Sequence, residues 1–379
     1  MIQMNEDRKP KYRAIYDEIR GDIDARRYTA GQRLPSDADL AVRFDTSRLT
    51  VIRALRDLEQ EGVVERKAGS GTFVSAASPT AARTFGILMP DLGDGEVFEP
   101  IAQGIARAGE ASHHNILWGN LSPTEKDKEE YALELCRYFI SRRTAGVFFA
   151  PVELSAHQSQ VNDTIVKQLD QSGIRILLID RCLRPFPERS RYDLVGIDNA
   201  RAGYRMTRHL LDVGCKRLAF AFRPGSAPTV AARLSGFREA LWQASIPADS
   251  WRTFETDGSN VQLLTRFLHK FRPDGFVCAN DLTAAKLMHN LLSLGVRIPE
   301  EVRMVGINDV KYARFLPVPL TTLRQPCQEM GFAAMTAMLQ RLDKDDTPAR
   351  DILLDCELIV RQSCGASAVS NNQAAHQQA

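Results

Sequence analysis

Residues 31–74 read GQRLPSDADLAVRFDTSRLTVIRALRDLEQEGVVERKAGSGTFV. Ser36 stands in the N-cap position before a short pattern in which Leu40, Ala41 and Phe44 recur at helical spacing. Asp45-Thr46-Ser47 interrupts that helix. Ser47 then caps a second helix expected to run to about Glu61, with Val51, Leu55 and Leu58 as its buried stripe. Two short helices around a tight polar break are the sequence form of a helix-turn-helix. Gly62 stops the second helix. Residues 63–66 and 72–74 read as paired strands around Lys67-Ala68-Gly69-Ser70-Gly71, a basic, glycine-rich tip suited to a hairpin. Helix, helix and wing make a winged helix.

Outward from this stretch, Lys11-Tyr12 opens an amphipathic pattern continued by Ile15, Ile19 and Ile23, so the winged helix is assigned residues 1–74. Residues 75–83, SAASPTAAR, are small, polar and proline-containing, the composition of a linker. A length of 379 residues leaves room for further domains, and 44% hydrophobic with 25% charged residues is a globular balance. Residues 1–83 hold 15 Lys/Arg against 13 Asp/Glu and the remainder 34 against 34, so charge alone does not indicate DNA. No apolar run opens the chain and none approaches the length of a membrane span, which predicts a cytoplasmic protein with no membrane partner. Seven scattered cysteines without C-x-x-C spacing read as reduced thiols, and no metal is expected because no ligand spacing occurs. No P-loop, H-E-x-x-H, G-x-S-x-G or complete G-x-G-x-x-G is present, so neither an enzyme nor a cofactor is expected.

From residue 84 short apolar runs alternate with helical patterns. Strands are expected at 85–90, 115–118, 146–150 and 174–180, and after a Pro- and Arg-rich loop at 194–198, 217–222, 275–279 and 302–307. Helices are expected at 99–112, 125–141, 161–171, 200–213, 231–244 and 281–294. His113 and His114 end the first of these and read as solvated. Such alternation implies parallel sheets with helices on both faces. The strands are too many for one open sheet, and the interruption near residue 190 suggests two lobes. The predicted architecture is therefore multidomain: an N-terminal winged helix-turn-helix, then a two-lobed α/β domain over 84–365 whose ligand sits in a crevice at the carboxyl ends of strands. Residues 366–379, ASAVSNNQAAHQQA, read as a disordered tail.

The wording of both segments is more specific than their patterns. Residues 11–74 resemble the DNA-binding domain of GntR-family bacterial regulators, whose pattern runs G-x-R-L-P-S-E-x-E-L-A, S-R-x-T-V-R-x-A-L, E-G and G-x-G-T-F-V. Asp37 stands where that family usually has Glu, and Ile52 replaces its second arginine. Arg53 is no substitute, since Ile52 lies about 40° from Arg48 on the helical wheel and Arg53 about 140°. Residues 84–364 resemble the sugar-binding core of LacI-family regulators, with the fold of periplasmic binding proteins. The matching runs are L-I-D-R at 178–181, V-G-I-D-N at 195–199, H-L-L-D-V-G at 209–214 and R-L-S-G-F at 233–237. Further runs are C-A-N-D at 278–281, G-V-R-I-P-E-E-V-R-M-V-G-I-N-D at 295–309, P-L-T-T-L-R-Q-P at 319–326 and L-I-V-R-Q-S-C at 358–364. The combination is similar to the arabinose-responsive AraR type of GntR regulators.

These resemblances imply roles. In the winged helix the DNA-binding set is Lys11, Ser36, Asp37, Ser47, Arg48, Thr50, Arg53, Lys67, Gly69, Ser70 and Gly71. Arg48 is the principal contact, whereas Lys11, Arg53 and Lys67 divide evenly between phosphate contact and ordinary surface. In the second domain the effector set is Asp91, Phe98, Asp180, Arg233, Asn280, Asn308 and Gln325, polar groups around a polyol, with Phe98 or Trp118 as an apolar floor. Asn308 replaces the usual Asp, and Asp198 reads as a helix cap. The implied protein is a repressor that binds near-palindromic operator DNA as a homodimer and is released by a sugar. The competing readings are a nucleobase or phosphosugar effector, or a sugar-binding protein with no DNA role.

Overall fold

The structure is a computed structural model that describes residues 11–366, apart from 26, 61–62, 68, 76–81, 91, 93–96, 120–126, 186–187 and 344–346. It divides into two units, Met1–Arg83 and Thr84–Ala379. In the first, α1 (Lys11–Asp24) turns Ile15, Ile19 and Ile23 to one face. α2 (Asp37–Arg43) adds Leu40 and Ala41, and α3 (Arg48–Gln60) adds Val51, Ala54, Leu55 and Leu58 to the same core. Ser36 starts α2 with a capping box: the Asp39 amide donates to Ser36 Oγ at 3.2 Å, and the Ser36 amide donates to Asp39 Oδ2 at 3.2 Å. Asp45, at φ 44°, turns the chain between the helices. The Thr50 amide donates to Ser47 Oγ at 3.3 Å, so Ser47 caps α3. The expected end of that helix at Glu61 and its stop at Gly62 lie outside the described residues.

β1 (Val64–Lys67) and β2 (Gly71–Val74) pair antiparallel from Val64↔Val74 to Lys67↔Gly71. Two ionic ties stiffen this small unit. Arg43 of α2 reaches Glu18 at 2.7 Å and Asp22 at 3.2 Å in α1, and Arg66 of β1 reaches Asp37 at 2.6 Å.

In the second unit β3 (Thr84–Leu88), β4 (Asn115–Trp118), β5 (Gly146–Phe149), β6 (Arg175–Ile179) and β7 (Asp193–Ile197) alternate with α4 (Phe98–Ala111), α5 (Lys128–Ser141) and α6 (Gln158–Gln171). The second lobe holds α7 (Asn199–Asp212), β8 (Leu218–Phe222), α8 (Pro228–Gln243), β9 (Trp251–Glu255), α9 (Val261–Phe271), β10 (Gly275–Cys278), α10 (Asp281–Ser293), β11 (Arg303–Asn308) and β12 (Thr321–Arg324). The chain ends with α11 (Cys327–Asp343), β13 (Asp351–Leu354) and β14 (Glu357–Ile359). One sheet has the order β13-β7-β6-β5-β3-β4, all parallel; the other is β14-β12-β11-β10-β8-β9, parallel except for the β12–β14 pair. Inner strands such as β5, GVFF, are buried on both faces, which is why they read as unbroken apolar runs rather than alternating ones.

The lobe boundary differs from the one suggested near residue 190. β7 pairs with β6 through Leu177↔Asp193 and stays in the first sheet, so the Pro- and Arg-rich loop is only a long β6–β7 connection. The chain crosses to the second lobe at Asp198, returns at Gln325-Pro326, and crosses again at Asp355-Cys356. α11 therefore packs on α4 in the first lobe, and the backbones meet at Gly104 and Gly331. A Cβ at Gly104 would lie 2.4 Å from the Gln328 carbonyl oxygen, and one at Gly331 2.4 Å from that of Ile101. His114 is buried edge-on against Phe85, with ring centroids 5.5 Å apart, rather than solvated. No described helix is long and apolar enough to cross a membrane. Linker residues 76–81 and tail residues 367–379 lie outside the described part.

Candidate functional site

In the winged-helix unit the expected residues fall into two groups. Ser36, Asp37 and Ser47 spend their side chains inside the unit, as caps and as the partner of Arg66. Thr50 shares a hydroxyl–hydroxyl hydrogen bond with Ser47 at 2.9 Å. Lys11 donates to the Asp45 carbonyl at 2.9 Å, and the Arg53 guanidinium lies 4.1 Å from the centre of the Tyr12 ring. Arg48 begins α3 exposed, with no hydrogen bond or ion pair to its side chain among the described residues. At the wing, Lys67 lies 3.6 Å from Glu65 and over the Phe73 ring. Gly69 and Gly71 take positive φ, of 74° and 112°, and Ser70 donates its amide to the Lys67 carbonyl. The sequence reading missed Leu49, which is 78% exposed beside Arg48. An apolar residue off the buried stripe of α3 was the available signal.

The second unit brings its expected effector residues together. Phe98, Asp180, Arg233, Asn280, Asn308 and Gln325 line one cleft between the lobes, of about 470 Å³, the size range of small-molecule sites. Asp180 and Arg181 follow β6, Asn280 follows β10, Asn308 ends β11 and Gln325 follows β12: all stand at carboxyl ends of parallel strands. Asp91 lies outside the described residues. Trp118 ends edge strand β4 and does not line the cleft, whereas Phe98 does. Asp198 accepts the Arg201 amide at 2.9 Å and caps α7.

A charged network organises the floor of this cleft. Arg181 reaches Glu153 Oε1 at 2.5 Å and Asp180 Oδ2 at 3.8 Å, donates to the Pro151 carbonyl, and covers the Phe98 ring at 4.7 Å. The other carboxylate oxygen of Glu153 accepts the Ala227 amide at 2.7 Å, and the Leu154 amide donates to the Gly225 carbonyl at 3.0 Å. Both bonds join the first lobe to the second. Arg233, 5% exposed, donates to Asn199 Oδ1 at 2.8 Å and to the Ala279 carbonyl at 2.6 Å. Burial draws its pKa below the usual arginine value, opposed by the charges of Asp180 and Glu153. The Asn280 side chain caps α10 by accepting the Thr283 amide at 2.8 Å. Gln325 donates to Asn308 Oδ1 at 2.8 Å, while its own buried Oε1 has no partner among the described residues.

Lys128, Glu153, Arg181, Arg223, Ser226 and Tyr312 line the cleft without having been assigned to it. Arg223 directly follows β8, so its place at the carboxyl end of a parallel strand was a usable signal. Glu153 and Ser226 come from loops whose approach depends on how the lobes fold together, which no local pattern encodes. Gln325, in the cleft wall, lies at one of the three crossings, and Asn199, at another, holds the cleft-lining Arg233, so the cleft is tied to the hinge.

Comparison with known proteins agrees with this geometry. Residues 11–74 match the family described as bacterial regulatory proteins, gntR family, and residues 207–364 match the periplasmic binding protein-like domain. The arabinose metabolism transcriptional repressor of Geobacillus stearothermophilus is 29% identical over 377 residues, covering 95% of this chain and 99% of that protein. Among solved structures, the transcription regulator CcpA of Lactococcus lactis covers 74% of this chain and 99% of its own, at 22% identity and a TM-score of 0.62. A LacI family transcriptional regulator from Enterococcus faecium with bound ribose covers 74% and 98%, at 23% identity and a TM-score of 0.60. The chain thus joins a winged helix that matches the gntR family to a two-lobed domain with the LacI-type, periplasmic-binding-protein-like fold.

Proposed function

We propose that this protein is an effector-gated transcription repressor. Two copies bind a near-palindromic operator through their winged helices, and a polyol in the interlobe cleft releases them. The observation that carries the reading is the joint presence in one chain of an unengaged Arg48 at the head of α3 and a polar cleft built on the hinge of a two-lobed unit. The full-length relative is a repressor of arabinose metabolism, and a neighbour of the same fold holds ribose, which supports a sugar-like effector. In this reading the chain is not an enzyme, works in the cytoplasm and needs no cofactor.

On DNA, α3 enters the major groove, where Arg48 donates to a base edge or phosphate and Leu49 and Ile52 offer methyl groups to thymine. Lys67 and the tip residues Gly69, Ser70 and Gly71 face phosphates, Ser70 through its hydroxyl because its amide is held by the Lys67 carbonyl. In the cleft, hydroxyls engage Asp180, Arg233, Asn280, Asn308 and Gln325. Asn199 and Gln325 sit at crossings, so ligand contacts favour one lobe arrangement. The effector shifts DNA affinity only as far as its affinity differs between the two arrangements.

The test is fluorescence anisotropy of the full chain on an operator selected from random duplex DNA, with and without a sugar panel. Release by at least one sugar, and loss of operator binding in Arg48→Ala with sugar-induced stabilisation retained, are the expected results. Operator binding that survives Arg48→Ala unchanged would overturn the proposed contact. A protein that selects no duplex at all would overturn the repressor reading.

A further inference from the structure

The cleft carries more positive than negative charge. Lys128, Arg181, Arg223 and Arg233 line it against Glu153 and Asp180. Both carboxylates lie within ion-pair distance of Arg181, and their charges also act on Arg233. Arg233 donates to neutral acceptors, Asn199 and Ala279, and among the described residues has no carboxylate within ion-pair distance. Arg223 is engaged only through its backbone carbonyl, which accepts from Ser226 Oγ at 2.7 Å; its guanidinium has no partner among the described residues. The amides add donors. Asn280 must turn its carbonyl to the Thr283 N–H, which leaves its NH₂ for a ligand, and Asn308 already spends its carbonyl on Gln325. A half-buried cation without a counter-charge is costly, and a bound anion removes that cost.

We infer that the effector is an anionic polyol, a sugar acid or a sugar phosphate, whose carboxylate or phosphate is taken by Arg223 while its hydroxyls meet Asp180, Arg233 and Gln325. This rests on the effector-cleft reading above and narrows it. Gln325 Oε1, buried without a partner among the described residues, supplies an acceptor for a hydroxyl, so the ligand carries both kinds of group. Arg181 and Arg223 also line an adjoining cavity of about 400 Å³, which gives room beside the cleft for a charged substituent.

The experiment is calorimetric titration of the full chain, at fixed ionic strength, with D-glucose, D-gluconate and D-glucose 6-phosphate, and with L-arabinose, L-arabinonate and L-arabinose 5-phosphate. In the series that binds, the acid or the phosphate is expected to bind at least about tenfold tighter than the neutral sugar, the scale of one charge-assisted hydrogen-bonded contact. Which anion leads distinguishes the two sources. Arg223→Gln removes the preference for the anion over the neutral sugar, and Arg223→Lys restores part of it. Neutral sugars binding as tightly as their anions, or a preference that survives Arg223→Gln, would overturn the inference and leave the sugar-gated repressor standing. If neither series binds and a nucleobase does, the inference and the polyol reading fall together.

Discussion

Arg48, Glu153 and Asp281 each do something different with a charge. Arg48 holds no internal partner among the described residues, so Arg48→Ala leaves the melting temperature unchanged while lowering operator affinity about ten- to a hundredfold, the worth of one good base contact; anisotropy titration reads it. Glu153 divides its two oxygens between Arg181 and the amide of Ala227 in the other lobe. Glu153→Gln keeps the shape but removes the charge, and costs about 2 kcal/mol of stability, read by urea unfolding. Asp281 is fully buried beneath Thr322 and the Val310 amide, which donate to it at 2.7 and 3.0 Å. Burial pushes its carboxyl up to about 6, against those hydrogen bonds, from an ordinary 3.8. The folded state thus favours the protonated form. Its contribution to stability is complete below pH 3.8 and is lost as pH rises through 6. The stability difference between wild type and Asp281→Asn is expected to change by about 2 kcal/mol between pH 4 and 7, measured by denaturant titration at each pH.

At the scale of elements, the caps of the winged helix add to what its apolar core supplies. Ser47→Ala removes the acceptor for the first turn of α3 and costs about 1 kcal/mol, seen as a lower urea midpoint of the amino-terminal unit. Asp193, at the start of β7, is buried and yet held below the usual carboxylate range, because Arg341, at 2.6 Å, and Arg350 outweigh the cost of burial. It ties β7 to α11 and to the approach of β13. Asp193→Ala leaves two arginines facing an empty site and costs about 3–5 kcal/mol, by the same assay. Elements with a strong local signature were legible: Ser36 and Ser47 as caps, the apolar runs of β3, β5 and β6, and the stripe of α3. β9, with its exposed Arg252 and Thr253, carries no such run, and β13 and β14 carry runs of only three apolar residues; these strands, β12, α9 and α11 went unread. The cleft was legible only where a family motif marked a strand end. Arg223 and Glu153 reach it through loops, and the lobe boundary was displaced because a proline-rich connection resembles a break between lobes.

For the whole molecule, the decisive feature is that its three crossings weave the two lobes together. The chain segment from 327 to 354 completes the first lobe, supplying α11 against α4 and β13 against the edge of β7. During synthesis from the amino terminus, the winged helix is complete once residue 74 has emerged, and the second lobe lacks only β14 and the buried turn at Gln362–Cys364 once residue 324 has. The first lobe, although begun at residue 84, keeps the apolar face of α4 and the open edge of β7 uncovered until the last few dozen residues leave the ribosome. Its folding is governed by contacts far apart in sequence, which are slow to form and expose strand edges meanwhile. A chain ending at Gln325 is expected to aggregate rather than yield a soluble half-protein, which expression and size-exclusion chromatography would test. Synthesis is therefore most exposed to chaperones and proteases after residue 324 has emerged, when the winged helix and most of the second lobe are built and the first lobe, begun before the second, still waits.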